Sequence, residues 1–566
     1  MWYKNGFFMQ FIRLAGPFWC SENRAKIRLQ TLLLIALTVM QMMLAVIITE
    51  WSAALFDALE QHSMSGLLKE MALLALIFAA SMAVTVNHLK IKRRLQVDWR
   101  AWLTERVTGL WMREGRHYQV THIQSAEHDN PDGRIAEDIR IATEEAIALS
   151  HSLFYSLLLI ASFTTILWDI SGTVTLDVGL FSLTIHGYLV WAAIIYAVSA
   201  SFLGWRIGQP LTQATDARQT VEANFRFDLA TARENSQAIA LIYGESTQRK
   251  HLQGLFGDIV EAFHKQTRAM SNIMLFTSGY SVLSMAFPVL MSAPRYILGS
   301  ISLGSLMQSV QAFQQTTSAL SWPVDNMSAV AQWRASVERV LSLVKALDDL
   351  EQELSRPDPY RIALERTDQP FLRFHNLCLA KLDRKVCMAA FNEDIRPGEH
   401  VLMEGDTATA AKLFKAVAGL WPWGEGRIEL PDNEPMFFMP PRPYLPTGTL
   451  RDAVCYPDDP IDVDQNELQQ IMELVGLAEL IGQLDRVESW DTALPREQQQ
   501  RLGVARLLLK KPKWILLQES LDSLSPNGES DMYRLICQQL PNATLLTTSN
   551  QPTAEPFHER RIALGS

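Results

Sequence analysis

EGDTATAAKLFKAVAGLWPWGEGRIEL, residues Glu404–Leu430, decides how the C-terminal third folds. The apolar run before it, Glu399–Met403, reads as a strand, and Leu413–Leu420 reads as a helix. Strand, short loop and helix make the frame of a phosphate-binding loop. Such a loop needs glycines so that backbone N–H groups can close around phosphate. It also needs a lysine for the β and γ oxygens and a hydroxyl for magnesium. Here the loop is Gly405-Asp406-Thr407-Ala408-Thr409-Ala410-Ala411-Lys412. Counted from Gly405, the second glycine falls on Ala410, the lysine on Ala411 and the hydroxyl on Lys412. Anchored on the following helix, the lysine falls on Ala410. In neither frame does a lysine stand where phosphate needs one, and Asp406 adds a negative charge.

Downstream, short apolar runs (VLMEG, MFFMP, WILLQE, ATLLTTS) alternate with helical patterns. That alternation predicts an α/β domain with a mainly parallel sheet. Upstream, Glu353–Leu372 is charged and holds Pro357, Pro359 and Pro370, so it reads as a linker. The expected division is therefore 1–352 membrane domain with long cytoplasmic helical extensions, 353–372 linker and 373–566 α/β domain.

The first 350 residues explain why 48% of a 566-residue chain is hydrophobic. Leu29–Thr49 has no charge in 21 positions, enough to cross a bilayer as a helix. Met71–Leu89, Ala146–Trp168, Gly187–Trp205 and Ala269–Pro294 are further spans. Tyr296–Val324 is uncharged but rich in Gln, Ser and Gly; it suits a sixth helix facing a water-filled cavity. Lys90, Lys92, Arg93 and Arg94 follow the second span and Arg206 the fourth, whereas Leu59–Gly66 and Asp169–His186 hold no Lys or Arg. The positive-inside rule places both termini, Lys90–Glu145 and Arg206–Arg268 in the cytoplasm. Gln209–Arg268 has helical apolar spacing among many charges, so helices extend beyond the membrane and turn back. No cleavable leader is expected, because the first apolar span is long and follows a charged amphipathic start. A net charge of −10 without a long basic run argues against nucleic acid as a partner. Cys20, Cys378, Cys387, Cys455 and Cys537 are scattered and read as free thiols with no metal spacing.

Several strings carry a closer resemblance: AGLWPWGEGRIELP (418–431), PRPYLPTGTLRDAVCYP (441–457) and WDTALPREQQQRLGVARLLLKKPKWILLQES (490–520). They resemble the nucleotide-binding domain of an ABC transporter. The subgroup is the one that includes the peroxisomal fatty-acyl transporters and bacterial fused permease–ATPases of the YddA type. WSAALFDAL (51–59), WRAWL (99–103) and NPDGRIAED (130–138) resemble the membrane domain that this subgroup shares with the SbmA/BacA peptide importers. The resemblance implies six transmembrane helices of the ABC exporter type followed by an α/β nucleotide-binding domain, with ATP and magnesium as cofactors.

Carried over position by position, it also implies that the catalytic motifs are degenerate. The Q-loop glutamine falls on Pro441, which has no side-chain amide for the metal. The signature falls on Leu494–Arg501, where Pro495 replaces the serine and Glu497 the glycine. The magnesium-binding aspartate falls on Gln518, and Asp522-Ser523-Leu524-Ser525 stands at the D-loop without its aspartate. The switch histidine falls on Asn550. Glu519 alone matches its catalytic counterpart, the residue that would orient the attacking water. Phosphoryl transfer depends on positioning and electrostatic preorganisation, so losing these groups together is expected to abolish useful hydrolysis. Each composite site of an ABC dimer joins one subunit's phosphate loop to the other's signature. Pairing with an intact chain would leave both sites damaged, which favours a homodimer.

The expected function is a bacterial inner-membrane transporter subunit moving amphipathic cargo of the peptide, fatty-acyl or corrinoid class without efficient ATP hydrolysis; the resemblance to the SbmA relatives implies a proton gradient as one energy source, with ATP the other. The alternatives are a conventional ATP-driven ABC transporter and a non-transporting binding or regulatory membrane protein. Lesser candidates have plain readings. Asn130–Arg134 is a turn, or by resemblance a coupling element. Glu50 and Asp57 lie at the outer end of the first span, His88 and His151 near inner ends, and Met40, Met42 and Met43 in ordinary packing.

Overall fold

The structure, a computed structural model, describes residues 6–123, 130–178, 181–355, 360–380, 386–432, 434–549 and 551–564. It forms two compact units: residues 1–110 with 130–344, and residues 111–129 with 345–566.

The first unit opens with α1 (Phe7–Ala15), which exposes Phe8, Met9 and Ile12 and buries Leu14 and Ala15. Two long helices follow, α2 (Arg24–Glu60) and α3 (Met64–Met112). The chain then leaves this unit through α4 (Arg116–Ile123). It returns at Asn130, left-handed at φ 62°, with Pro131 opening α5 (Pro131–Gly133); a π turn leads on into α6 (Ile139–Ser171). The hairpin of β1 (Thr173–Val178) and β2 (Phe181–His186) precedes α7 (Tyr188–Glu234). Short α8 (Ser236–Leu241) turns the chain back into α9 (Glu245–Ile297). The helix pair expected over 209–268 is present, tied by Arg218 donating to Gln266 at 2.9 Å.

Among the described residues, five helices are long and apolar enough to cross a membrane: Arg24–Glu60, Met64–Val120, Pro131–Ser171, Tyr188–Glu234 and Glu245–Ile297. Each holds one of the first five expected spans. The sixth differs in start and setting. α10 (Leu303–Leu320) begins seven residues beyond Tyr296 and packs against α2, α6, α7 and α9. Its start is fixed by acceptors at the helix N-terminus. Ser302 accepts from Ser305 N, Asp57 from Gly304 N at 2.8 Å and Glu60 from Leu303 N at 2.9 Å. Two of its polar residues pair within the bundle: Gln311 donates to Ser52 at 2.9 Å, and Ser309 meets Ser292 at 3.2 Å. Burial with partners makes the polar composition tolerable here. After α11 (Trp322–Asp325), α12 (Met327–Ser355) closes the helical part, its Arg339 paired with buried Asp138 at 2.5 Å.

The second unit is α/β. β3 (Ala363–Thr367), β4 (Leu372–Ala380) and β5 (Val386–Ile395) form a four-stranded sheet with β7 (Gly424–Pro431) in the order β3-β7-β4-β5. Within the stretch expected as a linker, α12 thus runs to Ser355 and β3 pairs with β7. β6 (His400–Glu404) leads into α13 (Thr407–Val417). β8 (Met436–Met439) and β9 (Gly448–Thr449) precede α14 (Leu450–Cys455) and α15 (Gln465–Leu474). β10 (Val487–Glu488) and α16 (Trp490–Ala493) lead to α17 (Arg496–Lys510) and β11 (Trp514–Gln518). α18 (Pro526–Gln539), β12 (Thr544–Thr548) and β13 (Arg560–Ala563) complete the unit.

β13-β6-β12-β11-β8 is a five-stranded, wholly parallel sheet. Strand alternation sends Trp514, Leu516 and Leu546 into one core with α13, and Ile515, Leu517 and Leu545 into another with α14, α17 and α18. The segment 111–129 belongs to this unit. Gly115, at φ 75°, faces the Leu420 side chain. Lys415 Nζ lies 5.4 Å from the Tyr118 ring centroid, and Arg116 pairs with Glu351 at 3.1 Å. Asn130–Arg134 groups instead with the helical unit, where the expected turn is a left-handed Asn130 followed by the helical start Pro131–Gly133.

Candidate functional site at the edge of the parallel sheet

The register sets the ends of three strands side by side. Met403 of β6 pairs with Thr548 of β12, and Thr548 pairs with Gln518 of β11. Gly405, Glu519 and Ser549 therefore leave the sheet at one carboxyl edge, the place where open parallel sheets bind ligands. Pro441 joins them two residues past β8, whose Met439 pairs with Leu517. Asn550 lies outside the described residues.

The loop after β6 differs from the expected one. The helix begins at Thr407, not Leu413, because Asp406 is its N-cap. The Asp406 carboxylate accepts from Thr409 N–H and from Thr409 Oγ1, each at 3.0 Å. Those hydrogen bonds hold it below the usual carboxylate range. The positive end of the helix is thus met by a carboxylate of its own chain. Ala410 is buried against the sheet, Ala411 is half-buried, and Lys412 Nζ sits 6.0 Å from the Trp421 ring centroid.

Pro495 and Glu497 lie at the start of α17. Pro495 is its N-cap without a side-chain hydrogen bond, and Glu497 pairs with Arg501 at 3.0 Å. Gln500, one turn on, ties this helix to the edge: Nε2 donates to Pro441 O at 3.1 Å and Oε1 accepts from Ser523 N at 3.0 Å. Proline thus serves here through its carbonyl.

Gln518 ends β11. Glu519 follows at φ 44° and donates its N–H to Thr548 O at 2.8 Å. Asp522 is raised above the usual range by burial and by the Glu519 charge. Ser549 Oγ donates to Asp522 at 3.3 Å and to Glu529 at 3.4 Å; Thr553 also donates to Glu529. Glu529 is fully buried and likewise raised, first by that burial. The edge therefore gathers Asp406, Glu519 and Asp522. Sequence reasoning missed Asp406 as a cap, Gln500 as a bridge and Glu529 as a buried acceptor. Only the first had a sequence signal, an aspartate three residues before Thr409 at a helix start.

Long apolar helices followed by an α/β unit with a parallel sheet and a loop-to-helix edge define a membrane transporter subunit of the cassette type. Residues 18–297 match the family described as ABC transporter transmembrane region 2. The chain is 27% identical over 547 residues to an Escherichia coli inner membrane ABC transporter ATP-binding protein, YddA, covering 96% of this chain and 95% of that protein. It is 25% identical to the Arabidopsis thaliana chloroplastic ABC transporter D family member 2, covering 98% of this chain and 86% of that protein. Identity to the human lysosomal cobalamin transporter ABCD4 is 25%, covering 98% and 94%. Over nearly its whole length the chain is therefore similar to ABC transporters of the subgroup of these relatives.

Proposed function

We propose that this chain is a transporter subunit whose second unit is a scaffold that neither holds nor hydrolyses ATP efficiently. The observation that carries the reading is the Asp406 carboxylate on the N-terminus of α13, where a nucleotide-binding loop would receive phosphate. Bringing a triphosphate there means setting negative charge against Asp406, Glu519 and Asp522, with alanines at both lysine frames. Gln518 in place of a carboxylate offers magnesium a neutral amide. These residues do not fit MgATP. The degenerate positions Gly405, Ala410, Ala411, Lys412, Pro441, Pro495, Glu497 and Gln518 act as structure, and Glu519 is a lone survivor.

Transport then runs as alternating access of a homodimer in a bacterial inner membrane, with both termini cytoplasmic and a proton gradient as the energy source. The cargo is amphipathic, in the peptide, fatty-acyl or corrinoid class; the printed name of the human relative points to the last. Purified protein in nanodiscs is expected to leave a labelled ATP analogue unbound in magnesium and to hydrolyse ATP at background. Vesicles with an imposed pH gradient and no nucleotide are expected to accumulate cargo. Ordinary transporter turnover that disappears in Glu519→Gln would overturn the reading.

A further inference from the structure

α10 has no charged residue in its 18 positions, yet it holds four glutamines: Gln308, Gln311, Gln314 and Gln315. Its contacts with α2, α6, α7 and α9 cover one arc of the helix. Ser309, Val310, Ala312, Phe313, Thr316 and Thr317 are buried on that arc. Met307 and the four glutamines are half-buried, and Ser318 is exposed. These six open positions follow the spacing i, i+1, i+4, i+7, i+8 and i+11, which puts them on one side of a helix. All four amides therefore share a single open face, about 15 Å long from Gln308 to Ser318 at ~1.5 Å per residue.

Other open faces of the helical unit are made differently. α3 exposes Leu76, Phe78 and Met82, and α9 exposes Met274, Leu275, Val282 and Leu283. Side chains of that kind suit lipid. A row of amides does not, because an unpaired polar group in hydrocarbon is costly. On the buried arc, Ser309 and Thr317 spend their hydroxyls on Leu306 O and Phe313 O. On the open face, Gln311 donates to Ser52, but the side-chain amides of Gln308, Gln314 and Gln315 have no hydrogen-bond partner among the described residues. Polar groups left open at membrane depth turn toward a water-filled cavity. The chemistry of the row also selects what could pass along it. Each glutamine offers a carbonyl oxygen and an NH2, so the row matches groups that both donate and accept. It has no cation for a carboxylate, and Met307 is its one apolar member. Peptide bonds and the acetamide and propionamide arms of corrinoids carry the matching pattern; an acyl chain does not.

We propose that the glutamine face of α10 lines the transport path and that Gln308, Gln314 and Gln315 hydrogen-bond an amide-rich cargo, a peptide or corrinoid in preference to a fatty acid. The proposal rests on the transporter reading above and selects among its cargo classes.

The test measures equilibrium binding to the full chain in nanodiscs, without nucleotide or pH gradient. The probes are cyanocobalamin, a labelled decapeptide and labelled palmitate. Saturable binding is expected for cyanocobalamin or the decapeptide, and whichever binds names the source of the amides. The double variant Gln308→Leu/Gln315→Leu keeps the bulk and suits a membrane helix. It is expected to weaken that binding about tenfold while the protein stays monodisperse. Gln308→Asn/Gln315→Asn, which keeps the amides, is expected to lose less. Saturable binding of palmitate alone, or of none of the three, would overturn the assignment. So would amide-cargo binding that the leucine variant leaves unchanged. A disulfide between two copies carrying Gln315→Cys, mapped to that position and not suppressed by saturating cargo, would show that the face meets a second copy instead of cargo, and would overturn it too. ATP-driven turnover of the wild type would overturn the scaffold reading and leave this one standing, since the binding measured here needs no energy source.

Discussion

Asp406 shows how one residue changes what a helix N-terminus can do. Free N–H groups there attract anions, and a carboxylate at the N-cap satisfies them from within the chain. Asp406→Ala is expected to lower the thermal midpoint of the full-length protein without creating ATP binding, as melting and a nucleotide titration would show. Glu529 makes a second case. Burial raises its carboxyl above its unfolded range, so the folded state favours the protonated form. Its stabilising share is complete below the unfolded-state value and is lost as pH rises through the folded-state value. Glu529→Gln is therefore expected to melt above wild type at pH 8, with the advantage shrinking as pH falls. A melting-temperature series against pH checks the sign. The place of the loop was legible from the Gly405–Lys412 string, because strand, loop and helix leave a clear pattern. The cap was not. Anchoring the helix at Leu413, where its apolar residues become regular, hid the turn that Asp406 and Thr409 begin.

Among the elements, α10 separates what composition can tell from what packing decides. Its Gln and Ser content made it the weakest span and suggested a wet cavity. The helix packs against four others, with Gln311 and Ser309 paired inside. Its position depends on Gly304. A Cβ there would stand 2.2 Å from Ala53 O and 2.4 Å from Asp57 Oδ1. Gly304→Ala is expected to cost about 1–3 kcal/mol through overpacking. It would appear as a lower melting temperature in detergent and reduced recovery of folded protein. Asp57 thereby has a structural post near the C-terminal end of α2, capping α10. The first five spans were legible because runs of apolar residues have few other uses at that length. The sixth start was not, since its acceptors, Asp57 and Glu60, lie more than 240 residues away in sequence.

For the whole molecule, the ATP question becomes a stability measurement. A ligand that binds only the folded state at about 100 times its Kd adds about 2.7 kcal/mol. Saturating MgATP is expected to leave the melting curve of this chain unmoved, and a clear upward shift would contradict the scaffold reading. The grouping of residues 111–129 with 345–566 could not be seen from the sequence, because no periodicity joins segments so far apart. It has a consequence for which losses the chain can survive. Gly115, Arg116 and Tyr118 are seated on Leu420, Glu351 and Lys415, none of which is a catalytic position. Turnover can decay residue by residue while this joint stays whole. Removing the cassette outright would strip the joint bare just beyond the end of α3.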